Sequence, residues 1–161
     1  MAKIIIGFST SSEIISRFVR FMTKAPMSHA YIKIPVPEHN TNVIFHADAT
    51  TVHYTNYDYF LSLNQVIEEL EVEVSEERAK LAELLRVTEC GKPYSKIKLV
   101  GFFWIMFLRF FRIKTHNPFH DDGKSSYICV ELISKSLGIQ DKTTLTPVDL
   151  YNILKSGKLS Y

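Results

Sequence analysis

Cysteine is scarce in this chain: Cys90 and Cys129 are the only two in 161 residues. Two are too few for the disulfide framework of a small secreted domain, and a reducing compartment is the simpler expectation. An excess of either charge is also missing, with 19 Lys and Arg against 17 Asp and Glu. That balance lacks the basic surplus of a dedicated nucleic-acid binder, so no nucleic-acid partner is expected. No uninterrupted apolar run reaches the ~20 residues that a membrane span requires. The N-terminal stretch Met1-Ala2-Lys3-Ile4-Ile5-Ile6-Gly7-Phe8-Ser9 is too short in its apolar part for a signal peptide and lacks a small-residue cleavage pattern. Repeats, low-complexity tracts and linkers are absent. The length suits one domain, residues 1–161, able to bury a core without disulfide or metal staples.

What is present alternates between strand and helix signals. An Ile-rich strand over 3–8 leads to Thr10-Ser11-Ser12, whose hydroxyls are suited to cap a helix over about 12–23. Ile14, Ile15, Phe18, Val19 and Met22 give that helix an apolar face, and Ala25-Pro26 ends it. Strands over about 28–35 and 42–48, separated by the turn-rich 35–42, predict an antiparallel hairpin. Residues 51–54 form a further short strand, 57–64 a turn or short helix, and 66–74 a strand with one wet face. Ser75-Glu76-Glu77 opens a helix to about Thr88, stopped by Gly91-Lys92-Pro93. Helical stretches over about 95–112, from Cys129 to Leu137 with Gly138 as the stop, and from Thr146-Pro147 to Lys155 complete the chain. Strands cluster early and helices late, which predicts an α+β fold with a mostly antiparallel sheet packed against helices.

Cys129 is the chemically most informative residue. The run Ser125-Ser126-Tyr127-Ile128-Cys129-Val130-Glu131-Leu132-Ile133 places its thiol in the first turn of a helix. There, unpaired N–H groups and the helix dipole favour a thiolate and are expected to lower the thiol pKa. A cysteine nucleophile needs an imidazole base and a third polar group that orients it. The hairpin supplies both: with its turn centred near residues 38 and 39, His29 lies roughly opposite Asp48, and period-2 alternation puts His29, His46 and Asp48 on one face. Either His46 or Asp48 fits the orienting role. Cys90, at a helix C-terminus, reads as structural, and Glu131 as a structural hydrogen-bonding residue.

Four short motifs in this order resemble those of the papain-like NlpC-type cysteine peptidases and amidases. Their arrangement is the circularly permuted one of YiiX-type proteins and lecithin:retinol acyltransferase-like enzymes. Met27-Ser28-His29-Ala30-Tyr31-Ile32 resembles the strand carrying the general-base histidine, and Val43-Ile44-Phe45-His46-Ala47 the following strand with its third member. Tyr127-Ile128-Cys129-Val130-Glu131-Leu132 resembles the nucleophile helix, and Gly91-Lys92-Pro93-Tyr94 a Gly-x-Pro-Tyr whose tyrosine lies near the nucleophile. The chain departs from the pattern in having Val130 where Ser is common, a wider histidine spacing, and a long apolar insertion between Tyr94 and Cys129. The resemblance implies a permuted papain-like fold and a Cys129-His29-His46 triad, with Asp48 the alternative third member and Tyr94 near the substrate. It also implies a thioester intermediate and an amide substrate in a peptidoglycan peptide. No cofactor or metal is implied.

The insertion from Leu99 to Phe111 is rich in aromatic residues, and Lys96, Lys98, Arg109, Arg112 and Lys114 flank it with no acidic residue among them. A buried core helix with basic ends accounts for the pattern. An interfacial helix that meets lipid through residues 96–114 does so too. His116, His120, Asp121 and Asp122 are metal-ligating types, but they sit in a Pro-containing loop with no second ligand set, so no metal is expected. Three functions are therefore expected in order: a peptidoglycan-directed cysteine amidase, a lipid acyltransferase or thioesterase, and a non-catalytic binding module. The N-terminus fits a cytoplasmic or phage-encoded protein.

Overall fold

In the computed structural model, which describes residues 1–48, 50–93, 100–101, 103–105, 107–108, 111, 129–139 and 145–157, the chain is built around one antiparallel sheet. Its five strands are β1 (Ala2–Ser11), β2 (His29–Val36), β3 (Thr41–Ala47), β4 (Val52–Asn56) and β5 (Asn64–Val74), in the order β4-β3-β2-β1-β5. The hairpin β2–β3 turns through a 3-10 segment, Pro37–His39, with Asn40 in the left-handed region that closes it. Its register pairs Ile32 with Phe45 and Val36 with Thr41. A turn centred between residues 38 and 39 requires that register.

Period-2 alternation gives the sheet two unlike faces. One carries Ile4, Ile6, Phe8, Ala30, Ile32, Phe45 and Val72, and is covered by α3 (Glu76–Glu89), α4 (Cys129–Leu137) and α5 (Pro147–Lys155). Val130, Leu132, Ile133 and Leu137 of α4 and Leu150 of α5 complete that core. The other face carries Tyr31 and Ile44 under Phe60 of α2 (Tyr57–Leu63). Tyr31 lies flat over Gly7, where even a methyl group would fall 2.0 Å from the ring. Its hydroxyl donates to Glu69 Oε1 at 2.8 Å, and Lys33 and Tyr57 converge on the same carboxylate. The α+β architecture anticipated from the order of the elements is the one observed.

Helix α4 is anchored at its C-terminal end. At its C-terminus Gly138 adopts φ +74°, and the Ile139 N–H donates to the Ser134 carbonyl at 2.9 Å, a Schellman closure. Near that end Lys135 reaches back to the buried Glu89 of α3 at 3.0 Å. Ser75 caps α3 by accepting from the Arg78 amide, and Thr146 and Asp149 form a reciprocal capping box on α5.

Helix α1 (Ile14–Thr23) departs from expectation in two ways. Its N-cap is Glu13, with no side-chain cap: the Thr10 hydroxyl bonds Ser16, which also bonds Ser28, and Ser11 Oγ accepts from the Glu13 amide. Its expected apolar face is also split: Val19 is buried and Met22 half-buried, whereas Ile14, Ile15 and Phe18 are exposed, as is Phe21 beside them. Of the expected helix over 95–112, the described residues within 100–108 are helical; Tyr94 and the 116–122 loop lie outside the described residues. Among the described residues no helix is long and apolar enough to cross a membrane.

Candidate active site

The antiparallel arrangement brings the end of β1, the start of β2, the end of β3 and the start of β5 to one end of the sheet. A cavity of about 400 Å³ opens there, lined by His29, His46, Asp48, Thr55 and the first residue of α4, Cys129. His29 and His46 project on the face covered by α2, where Phe60 packs at 6.3 and 5.6 Å from their ring centres. Cys129 enters from the opposite face, half-buried against the main core. The three side chains thus converge around the end of β2 rather than across one face.

His29 Nε2 lies 3.0 Å from His46 Nδ1, and His46 Nε2 lies 3.1 Å from Thr55 Oγ1. This chain admits two proton arrangements. In one, His29 Nε2–H donates to His46 Nδ1 and His46 Nε2–H donates to Thr55, which leaves His29 Nδ1 with a free lone pair, the state required of a base. In the other every bond reverses, with Thr55 as donor, and His29 Nδ1 carries the proton. Because a threonine hydroxyl both donates and accepts, it supports either direction. Among the described residues no hydrogen bond joins Cys129 to His29, so the thiol and the imidazole share the cavity without being paired. Such contacts often close only when substrate is bound.

Asp48 is engaged elsewhere. Its Oδ1 accepts from the Thr50 hydroxyl and the Thr50 and Thr51 amides at 2.6–2.9 Å, and its Oδ2 lies 3.7 Å from His53 Nε2. Of the two candidates for the orienting role, the structure therefore brings His46 to His29 and turns Asp48 toward His53. His53 in turn stands over His46, with ring centres 4.8 Å apart.

The electrostatics differ from the sequence expectation at one point. Burial pushes the Cys129 thiol up, and the backbone N–H groups of Ala30, Val130 and Cys129 only partly counter it. The expected fall at the helix N-terminus is thus overturned by desolvation. Burial also lowers His29 to about 4 against the attraction of Asp48, and lowers His46 to about 3, with repulsion from His29 and His53 adding. Burial raises the Asp48 carboxyl, but its bonds to Thr50 and Thr51 outweigh that and hold it below the usual range. At neutral pH the site is therefore a neutral thiol beside two neutral imidazoles.

The fold is YiiX-like. The crystal structure of metalloprotein YiiX from Escherichia coli O157:H7 (DUF1105) superposes with a TM-score of 0.52 at 14% identity, over 93% of this chain and 90% of that one. No family model and no curated protein matches the chain. The likeness to YiiX thus concerns the fold, and the site must be argued from its own residues. Three features beyond the sequence-based candidates stand out: Thr55, His53 and the Thr10-Ser16-Ser28 hydroxyl cluster beside the cavity. His53 pairs with His46 across β3 and β4, and Thr55 shares the face of His53 by the i, i+2 rule. Once that register is known, both follow from alternation. The hydroxyl cluster has no comparable signal, because it joins residues from β1, α1 and the approach to β2.

Proposed function

We propose that the chain is a cysteine hydrolase that cleaves an amide bond, with a permuted papain-like arrangement of its catalytic residues. The observation that carries the reading is the lining of one cavity by Cys129, His29 and His46, with the two imidazoles hydrogen-bonded. The order of a histidine strand, a second histidine strand and a cysteine at a helix start supports the permuted arrangement. The YiiX-like fold is compatible with it. A peptidoglycan peptide is the proposed substrate, on the strength of the motif resemblance, with Tyr94 proposed to contact it.

In this reaction His29 Nδ1 takes the Cys129 proton as the sulfur attacks the carbonyl carbon, and the imidazolium returns that proton to the departing amine. The resulting thioester is cleaved by water, which gives its proton to His29 and restores the thiol. His46 orients His29, and in the arrangement where it accepts from His29 Nε2–H it leaves Nδ1 free to act as the base. The Cys129 backbone N–H is the natural donor to the carbonyl oxygen as negative charge develops.

YiiX is named a metalloprotein, so the fit of these residues to a metal can be judged. Both ring nitrogens of His46 face protein partners, and His29 Nε2 is turned to His46. Among the described residues no group of three or more His, Cys, Asp or Glu could hold a metal. Among the described residues, those lining the cavity therefore do not form a metal-binding set.

Mass spectrometry of muropeptide digests tests the proposal: wild type is expected to release a new amine and acid, and Cys129→Ala to release none. Equal release by Cys129→Ala would defeat the assignment. A second reading, acyl transfer or hydrolysis on a lipid ester or thioester, is favoured by the apolar side chains of Ile15, Val19 and Leu63 lining the same cavity. Turnover of acyl-lipid with none of muropeptide would select it.

A further inference from the structure

The outward stripe of α1 is the least expected feature of the fold. Ile14, Phe18 and Phe21 follow the i, i+4, i+7 spacing of one helical face, and Ile14 and Phe21 are 84% and 72% exposed. A second stripe repeats the spacing: Val100, Trp104, Phe107 and Phe111 are all exposed, while Ile105 between them is buried. Phe18 and Phe103 join the two, with ring centres 4.9 Å apart. An isolated exposed apolar residue needs no explanation, but two adjoining stripes of this kind mark an interaction surface.

The charge around the stripes identifies the partner. Arg17, Arg20 and Lys24 lie beside the α1 stripe, and none is ion-paired among the described residues. No acidic residue occurs from Ile14 to Pro37, or from Cys90 to His120, although the whole chain is nearly neutral. Apart from Glu13 at the N-cap of α1, the apolar and aromatic side chains are bordered in the sequence by cations, which matches an anionic bilayer, where rings enter the headgroup boundary and cations meet lipid phosphates. A second copy fits less well. A two-fold dimer through this face would press Arg17, Arg20 and Lys24 of both copies together with only Glu13 at the start of each α1 to offset them.

We infer that α1 and the exposed side chains of Val100, Trp104, Phe107 and Phe111 form a docking surface for an anionic lipid bilayer. Ile15 and Val19 of α1 also line the Cys129 cavity, so docking sets the cavity at the membrane. The inference does not depend on the proposed chemistry and is tested with Cys129→Ala protein, so failure of either leaves the other standing.

The test is co-sedimentation with phosphatidylglycerol–phosphatidylcholine vesicles, read together with the emission of Trp104, the sole tryptophan. Expected are pelleting with a blue shift, binding at least about tenfold weaker on phosphatidylcholine alone, and weakening by salt. Phe21→Glu should lower the partition about tenfold, the scale of one lost apolar anchor. Leu84→Glu, at an exposed position on α3, should not change it. Arg17→Glu with Lys24→Glu provides a second variant pair that leaves the apolar stripe intact, and circular dichroism confirms folding of each. Absence of binding at low salt overturns the inference, as does binding indifferent to both the Phe21 and the Arg17/Lys24 variants. A doubled mass in sedimentation equilibrium that Phe21→Glu abolishes also overturns it and assigns the face to a second copy.

Discussion

At pH 7 burial leaves Cys129 protonated and His29 and His46 uncharged, so no preformed thiolate–imidazolium pair is expected in the free protein. Iodoacetamide should therefore alkylate Cys129 more slowly than the exposed Cys90. A structural thiol would behave the same way, and His29→Ala separates the two cases. If His29 is the base, its removal slows Cys129 labelling by about tenfold or more and leaves Cys90 unchanged; equal rates would remove His29 from the mechanism. Thr55 makes a subtler prediction. Thr55→Val keeps the shape but strips the partner from His46 Nε2, leaving a buried nitrogen unsatisfied at about 1–3 kcal/mol. Turnover should fall about tenfold or more at unchanged KM, while Thr55→Ser restores it. A shift in KM alone would make Thr55 a substrate contact. His46→Ala should cost more than Asp48→Asn, because Asp48 serves His53 and its own turn; the reverse order would move the orienting role to Asp48.

Among the elements, the β2–β3 hairpin was the most legible, because its turn residues and alternation fix a register that leaves little freedom. Helix α4 was legible at its C-terminus through Gly138, whose left-handed φ only glycine adopts cheaply. Helix α1 was legible as a helix but not in orientation: periodicity reports that apolar residues share a face, not which way the face points. The site divides along the same line. The Cys129, His29 and His46 identities could be read locally, whereas the direction of the thiol shift depended on how deeply three elements bury the sulfur. Thr55 required knowledge of the β3–β4 pairing. Gly7 shows packing at the scale of a strand. The Tyr31 ring occupies the space above it, so Gly7→Ala must displace a fully buried side chain and its bond to Glu69. Overpacking of this kind costs about 1–3 kcal/mol, which urea denaturation would register as a lower midpoint at unchanged slope. An unchanged midpoint would mean that Tyr31 is free to move.

For the molecule as a whole, two neutral histidines in one site, His46 buried and His29 half-buried, couple stability to acid. Each has a folded pKa below its ordinary value of 6.5, at about 4 for His29 and about 3 for His46. As pH falls below 6.5 the unfolded chain takes up protons that the folded one refuses. Their contribution is therefore complete above 6.5 and is lost progressively down to the folded values. The slope reaches at most about 1.4 kcal/mol per pH unit for each histidine. Asp48 and Glu69 act in a lower window: their depressed carboxyls stabilise above the ordinary carboxylate pKa and lose that contribution as pH falls further. Denaturation followed by circular dichroism should thus show stability declining from pH 6.5 to 4.5, before the carboxylates titrate. A His29→Gln, His46→Gln double variant, with two imidazoles removed from the same cavity, should flatten that interval and leave the steeper fall below pH 4 in place. A wild type flat over the interval, or a double variant with the same slope, would mean that solvent reaches the imidazoles and that the site does not rest neutral.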